Sequence, residues 1–168
     1  MFNRVTTNIG RLIMLKQFKT IITNVQALKM NLISARTVEK IKYDEGTRLK
    51  LYKCPADKWT IGTGRNLEDR GITEEEADFL LMNDLKIAQK ELRANFDWFV
   101  GLNSVRQGVL LNMHINMGIG RLKGFKQMIK ALEVHDYNKA AIEILDSVAA
   151  RKLVSRYDRL SDDMRTGK

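Results

Sequence analysis

Proline and cysteine each occur once in 168 residues, and histidine only twice. The lone cysteine, Cys54, excludes an internal disulfide. His114 and His135 stand at neither HxxxH nor CxxC spacing, so no metal and no other cofactor is expected. One proline and 7% aromatic residues suit a mostly helical chain. Long apolar runs are missing too. Lys16 and Lys19 interrupt the most apolar stretch, which excludes a transmembrane span there. No unbroken apolar segment of adequate length precedes a small-residue cleavage site, so a cleavable signal peptide is not expected. Acid is absent from residues 1–38, which hold Arg4, Arg11, Lys16, Lys19, Lys29 and Arg36. That leader carries two-thirds of the net charge of +9.

Such an excess of positive charge implies an anionic partner. No nucleic-acid-binding motif accompanies it, so nucleic acid is not the expected partner. Acidic bacterial envelope polymers, anionic lipid and lipopolysaccharide suit the charge equally well. Within residues 1–30, Met14, Phe18, Ile21, Val25 and Leu28 recur at three- and four-residue steps and continue to Leu32. This is one apolar stripe on a basic helix, weakened by β-branched Thr20, Ile21, Ile22 and Thr23. Two readings stand. Residues 1–29 bind anionic envelope lipid, or they form an accessory helix packed on the remainder of the protein. Met30-Asn31 is a possible start of a shorter product, which makes the leader dispensable for chemistry.

Residues 31–168 read as one domain with two lobes. Ser34 is placed to cap a helix over about 35–45 that Gly46 ends. Strands are predicted over about 48–53 and 58–63, with Pro55-Ala56-Asp57 in the turn and a third short strand or loop near Gly62–Leu67. This makes a small β lobe over about 46–72. From Thr73 the pattern turns helical. Thr73 and Glu76 have capping-box spacing, and apolar residues keep helical period from Phe79 to about Ala94. Asn103 heads a second helix to about Met117. Further helices are expected over about 121–133, over 137–147 capped by Asp136, and around 150–164. The fold class is therefore α+β and mainly helical: a small sheet lobe, a long connecting helix and a larger helical lobe over about 73–168. A cleft between lobes is a usual place for a ligand.

Glu45, Cys54 and Thr60 are separated by eight and then five residues. A helix end facing a hairpin can gather these three side chains around one small reactant. Glycosidic-bond cleavage suits such a set: an acid protonates the leaving oxygen, and groups opposite it handle water or the sugar cation. Glu45 at a helix C-terminus opposes the helix dipole, a poor choice for stability alone. Its role as general acid calls for burial between lobes, which favours the protonated form. Cys54 as thiolate is a nucleophile or cation stabiliser, and as thiol only orients water. Lys53 and Lys58 are the neighbours able to favour the thiolate. Thr60 can hold a water through a hydroxyl that both donates and accepts. Asp57 reads as a turn residue. Gly62 and Gly64 allow close backbone approach to a bulky ligand. His114 reads as a packed or surface histidine.

The run Tyr43-Asp44-Glu45-Gly46-Thr47-Arg48-Leu49-Lys50-Leu51-Tyr52-Lys53, followed by Trp59-Thr60-Ile61-Gly62-Thr63-Gly64, resembles phage endolysins of the T-even lysozyme type, glycoside hydrolase family 24. Later segments agree in order: Gly71-Ile72-Thr73, Leu111-Asn112-Met113, Met117-Gly118, Gly124-Phe125 and Met164-Arg165-Thr166-Gly167. The resemblance implies a lysozyme-like fold and a peptidoglycan-degrading muramidase. It implies catalytic roles for Glu45, Cys54 and Thr60, with Cys54 where many members carry Asp and Arg65 where they often carry His. It implies that Ile115 and Asn116 line the substrate site and that Asp44 pairs with Arg156 to support it. Arg156, Arg159 and Arg165 either face acidic glycan peptide or form a solvated basic face. A monomer is implied, made in the host cytoplasm and acting on the wall in the periplasm. Because Cys54 replaces the second carboxylate, a lytic transglycosylase, which also works with one Glu, stays open beside the hydrolase. So does a non-enzymatic, membrane-disrupting role for the leader.

Overall fold

The computed structural model describes residues 33–168, so the leader lies outside the described residues. The chain divides into two compact units, Met1–Glu74 and Glu75–Lys168. The division falls two residues beyond the expected lobe boundary, at the first residue of the long helix.

In the first unit, Ser34 has extended backbone and its side chain accepts the Thr37 N–H at 3.1 Å, opening helix α1 (Ala35–Glu45) as expected. Gly46, at φ 68°, closes it, donating its N–H to the Lys42 carbonyl at 2.9 Å. Strands β1 (Arg48–Lys53), β2 (Trp59–Gly62) and β3 (Arg65–Asn66) form an antiparallel sheet in chain order. Tyr52 faces Thr60 and Lys53 faces Trp59, but Arg48 faces Gly62, so a bulge bends β1 in between. The β1–β2 turn is closed by the Cys54 N–H on the Lys58 carbonyl (3.0 Å) and the Asp57 N–H on the Cys54 carbonyl (2.8 Å). Asp57 sits there at φ 57°, a conformation its short polar side chain tolerates, so it is a turn residue. A one-turn helix not read from sequence, α2 (Leu67–Arg70), follows β3 and is capped by Asn66. Thr60 is the one buried residue between positions 33 and 74.

The second unit begins within α3 (Glu74–Asn95). A 3-10 turn (Asp97–Gly101) leads to α4 (Ser104–Leu122), α5 (Lys126–Glu133), α6 (Tyr137–Leu145), α7 (Val148–Lys152) and α8 (Val154–Thr166). Asn103 and Asp136 cap α4 and α6 through their side chains, accepting the N–H groups of Arg106 and Lys139. The core is contiguous and lies in this unit: Leu92, Phe99, Leu110, Met113, Leu132, Ile144, Tyr157 and Met164 are among its buried members. Each aliphatic side chain so buried contributes about 1.5–3 kcal/mol. Tyr157, Leu160 and Met164 of α8, at three- and four-residue steps, bring that helix onto α6 and α4.

Three expectations need correction. The helix expected to stop at Met117 does break there, at Gly118 (φ 76°, ψ 162°), but resumes to Leu122. The single helix expected over 121–133 is interrupted at Lys123–Phe125, where the Gly124 N–H turns back to the Arg121 carbonyl at 3.0 Å. The last helix is two, broken at Leu153 (φ −130°, ψ 53°), and the first piece is capped by Ser147, whose side chain accepts the Ala150 N–H at 3.0 Å. Among the described residues no helix is long and apolar enough to cross a membrane.

Candidate functional site

Glu45 is the last residue of α1, exposed rather than buried as its proposed role suggested. Its carboxylate lies against the tight β2–β3 connection. Gly64 there has φ 71°, and a Cβ at that position would stand 3.2 Å from Glu45 Oε2. Glycine at 64 therefore makes room for the carboxylate of this chain, where the sequence suggested room for a ligand. The Thr47 and Thr63 hydroxyls, 3.0 Å apart, tie the start of β1 to the same connection. Asp44 is exposed on the last turn of α1.

Cys54 and Thr60 are brought together at the β1–β2 hairpin. The thiol is partly exposed, immediately after β1. Its pKa is pushed below the ordinary thiol value, chiefly by the Lys58 backbone N–H. Desolvation opposes this, the Ala56 main chain adds to it, and Thr60 lies within reach of the sulfur. A lowered pKa makes the thiolate, the more nucleophilic form, easier to reach. The sequence pointed to the lysine ammonium groups; the larger part comes instead from the Lys58 main chain. Thr60 is buried, with its hydroxyl donating to the Lys58 carbonyl at 3.0 Å. Lys58 thus bears on both: its main chain is the largest influence on the thiol, and its carbonyl accepts from Thr60.

A charged collar surrounds this turn. Lys53 lies 3.7 Å from Asp57 and 3.6 Å from Glu68, and Lys58 lies 3.2 Å from Asp69 and 4.0 Å from Glu68. Glu68 Oε2 also accepts the Trp59 N–H at 2.6 Å, and Lys53 Nζ stands 4.4 Å from the centroid of the Trp59 ring. Sequence reasoning missed Glu68 and Asp69, because nothing in the local pattern announces a contact nine or eleven residues away. Arg65 donates through Nε to the Gly71 carbonyl at 2.9 Å.

The second unit carries a groove of about 850 Å³ whose walls include Asn116, Met117, Arg121, Lys126, Glu143 and Ser147. Asn116 is held by the buried Tyr157, whose hydroxyl donates to Asn116 Oδ1 at 3.1 Å. Ile115 is exposed and is not part of these walls. Arg156 is anchored on Asn112, donating from Nε (2.9 Å) and Nη2 (2.6 Å) to its Oδ1 and from Nη2 to its carbonyl at 3.2 Å. Both residues border a smaller hollow of about 450 Å³ with Arg159, Asp158 and Asp162. Arg165 pairs with Asp162 rather than standing free. His114 is a packed histidine, its Nε2 2.6 Å from Glu91 Oε2.

Residues 42–156 match the family described as phage lysozyme. A protein of Dictyostelium discoideum named probable T4-type lysozyme 1 is 26% identical over 158 residues, which cover 77% of this chain and 93% of that one. An endolysin of Acyrthosiphon pisum secondary endosymbiont phage 1 is 33% identical over 117 residues, 67% of this chain and 77% of its own. A SAR-endolysin of Haemophilus phage HP1 is 25% identical over 142 residues, 83% and 73% of the respective chains.

Proposed function

The chain belongs to the phage lysozyme family, and from that premise we propose that it is a peptidoglycan-degrading endolysin. Its reaction is hydrolysis of the β-1,4 bond between N-acetylmuramic acid and N-acetylglucosamine, and its biological outcome is lysis of the host cell and phage release. Glu45 is the general acid that protonates the bridging oxygen. Cys54 and Thr60 act at the sugar carbon: the thiolate stabilises or captures the sugar cation, and the Thr60 hydroxyl holds the attacking water. Asn116 binds the glycan from the groove of the helical unit, with Ile115 beside it. Asp44 and Arg156 support the site without taking part in the chemistry. No cofactor is required. Anionic envelope lipid or lipopolysaccharide is the proposed partner of residues 1–29.

One observation carries this reading. A single small unit sets the Glu45 carboxylate beside Gly64 and carries Cys54 and Thr60 on its β1–β2 hairpin, at the Glu, eight residues, Cys, five residues, Thr spacing. The lowered pKa makes this thiol easier to ionise than an ordinary one, at the position where the resemblance puts a second carboxylate.

The test is release of reducing sugar, with product masses, from purified peptidoglycan treated with wild type, Glu45→Gln and Cys54→Ala. Loss of a general acid removes on the order of 10²–10⁴ in rate, and the wild-type products should carry water-added reducing ends. Digestion at full rate by Glu45→Gln refutes the enzyme assignment. Products ending in 1,6-anhydro sugars replace the hydrolase with a lytic transglycosylase.

A further inference from the structure

We propose that Glu68 is a positioning residue for this site: its carboxylate bolts the β1–β2 hairpin at Trp59 and so holds Cys54 and Thr60 in working register. The inference rests on the proposed roles of Cys54 and Thr60. Its own support is geometric.

Successive N–H groups of a strand point to opposite sides. The Lys58 carbonyl faces β1, where it accepts the Cys54 N–H, so the Trp59 N–H faces the β3 side. There β3 has already ended, at Asn66, paired with Thr60. The Trp59 donor thus lies one position beyond the end of the β2–β3 ladder. Glu68, on the single turn of α2, supplies the acceptor at 2.6 Å, a charge-assisted bond at the short end of its class. The same carboxylate reaches Lys53 at 3.6 Å and Lys58 at 4.0 Å, the two residues whose main chains bracket the Cys54 turn. Asp69 takes the other side of Lys58, and Asp57 the other side of Lys53.

Exposed ion pairs of this kind contribute little one by one. The bond to the backbone is what fixes the strand. It sits one residue before Thr60 and one after Lys58, whose carbonyl closes the Cys54 turn. Trp59 and the lysines hold the Glu68 carboxyl below its usual range, so it stays an acceptor at working pH. A carboxylate so occupied is a support and not a proton donor to the sugar.

Two variants of the full-length protein separate the parts of this role. Glu68→Ala removes both acceptor and charge, whereas Glu68→Gln keeps a carbonyl oxygen for the Trp59 N–H and loses only the charge. The readouts are kcat and KM on soluble peptidoglycan fragments and the pH profile of Cys54 alkylation by iodoacetamide. In Glu68→Ala we expect kcat to fall at least about tenfold, as misplacement of a reacting group does, with KM little changed. The alkylation midpoint should move to higher pH, because the Lys58 main chain, the chief influence lowering the thiol, is no longer held beside it. Glu68→Gln should restore most of kcat and show no upward midpoint shift, since the freed lysines favour the thiolate. In the wild type, the Trp59 amide resonance should follow one carboxyl titration, a readout that holds even if Glu68→Ala does not fold.

A folded Glu68→Ala protein with unchanged kcat overturns the proposal, as does a Trp59 amide indifferent to carboxyl titration. Full-rate digestion by Cys54→Ala instead removes the thiol from the proposed mechanism, while the alkylation shift still reports whether Glu68 holds the hairpin.

Discussion

Replacing Gly167 with alanine tests how the end of the chain is locked to the helical core. Gly167 closes α8 in the left-handed region (φ 68°, ψ 25°). An added Cβ would stand 2.7 Å from Arg106 Cζ and Nη1 and 2.7 Å from Asn103 Nδ2. Arg106 cannot simply yield. Its Nε donates to the Met164 carbonyl at 2.8 Å, its Nη2 to the Arg165 carbonyl at 3.2 Å, and its guanidinium lies 3.6 Å from the Tyr137 ring centroid. Left-handed backbone costs alanine about 1–2 kcal/mol. Displacing the guanidinium forfeits hydrogen bonds worth about 1.5–3 kcal/mol each and a cation–π contact of about 0.5–1 kcal/mol, partly regained from water. Gly167→Ala should therefore cost about 2–4 kcal/mol, and at about 2–4 °C per kcal/mol for a domain of this size, Tm should drop by roughly 4–16 °C. The assay is urea and thermal unfolding in wild-type and Arg106→Ala backgrounds. With Arg106 gone, its share of the clash goes, and the substitution should cost only the backbone term and the remaining contact with Asn103 Nδ2, leaving a coupling of about 1 kcal/mol or more. An equal cost in both backgrounds would refute the reasoning.

Two further outcomes rest on the same kind of geometry. Gly64→Ala forces strain at φ 71° and crowds Glu45 Oε2, so wall-digestion kcat should fall by about tenfold or more, while the unfolding midpoint of the buried helical core stays within about 2 °C; an active Gly64→Ala protein would mean the carboxylate position is irrelevant. Tyr157→Phe removes the bond to exposed Asn116 but leaves the ring packed, so stability should fall by only about 0.5–1.5 kcal/mol, with KM for peptidoglycan fragments rising as Asn116 loses its anchor; an unchanged KM would remove Asn116 from the binding surface.

Much of this architecture was legible because it is written locally. Ser34, Asn103 and Asp136 are side chains that satisfy N–H groups three residues on, and each cap appeared where its residue type and the following periodicity placed it. Gly46 likewise ended α1 by supplying a positive φ. The breaks were harder. Gly124 carried a warning that the apolar period around it masked. Leu153 carries none, since neither leucine nor the following valine opposes helix, and the break there lies between the capped turn of α7 and the packing of α8. The spacing of Glu45, Cys54 and Thr60 pointed to residues that lie in one unit, Cys54 and Thr60 on the same hairpin. What holds them did not show: Glu68 reaches across nine residues to a main-chain donor, and Gly64 shapes the place of a side chain nineteen residues earlier in the chain. The exposure of Glu45 also ran against the burial that its proposed role suggested.

Between positions 33 and 74 the sole buried side chain is a threonine, and the hydrocarbon side chains are at most half-buried, as at Val38, Ile61 and Leu67. Opening of the hairpin alone would thus uncover little greasy surface. Such an event has a small heat-capacity increment and a shallow dependence on urea. It is instead sensitive to dissolved ions, because surface charges are what they screen. The chemistry proposed for this protein is therefore mounted on the part that brine loosens, and its thermal endurance resides in the part that brine scarcely touches.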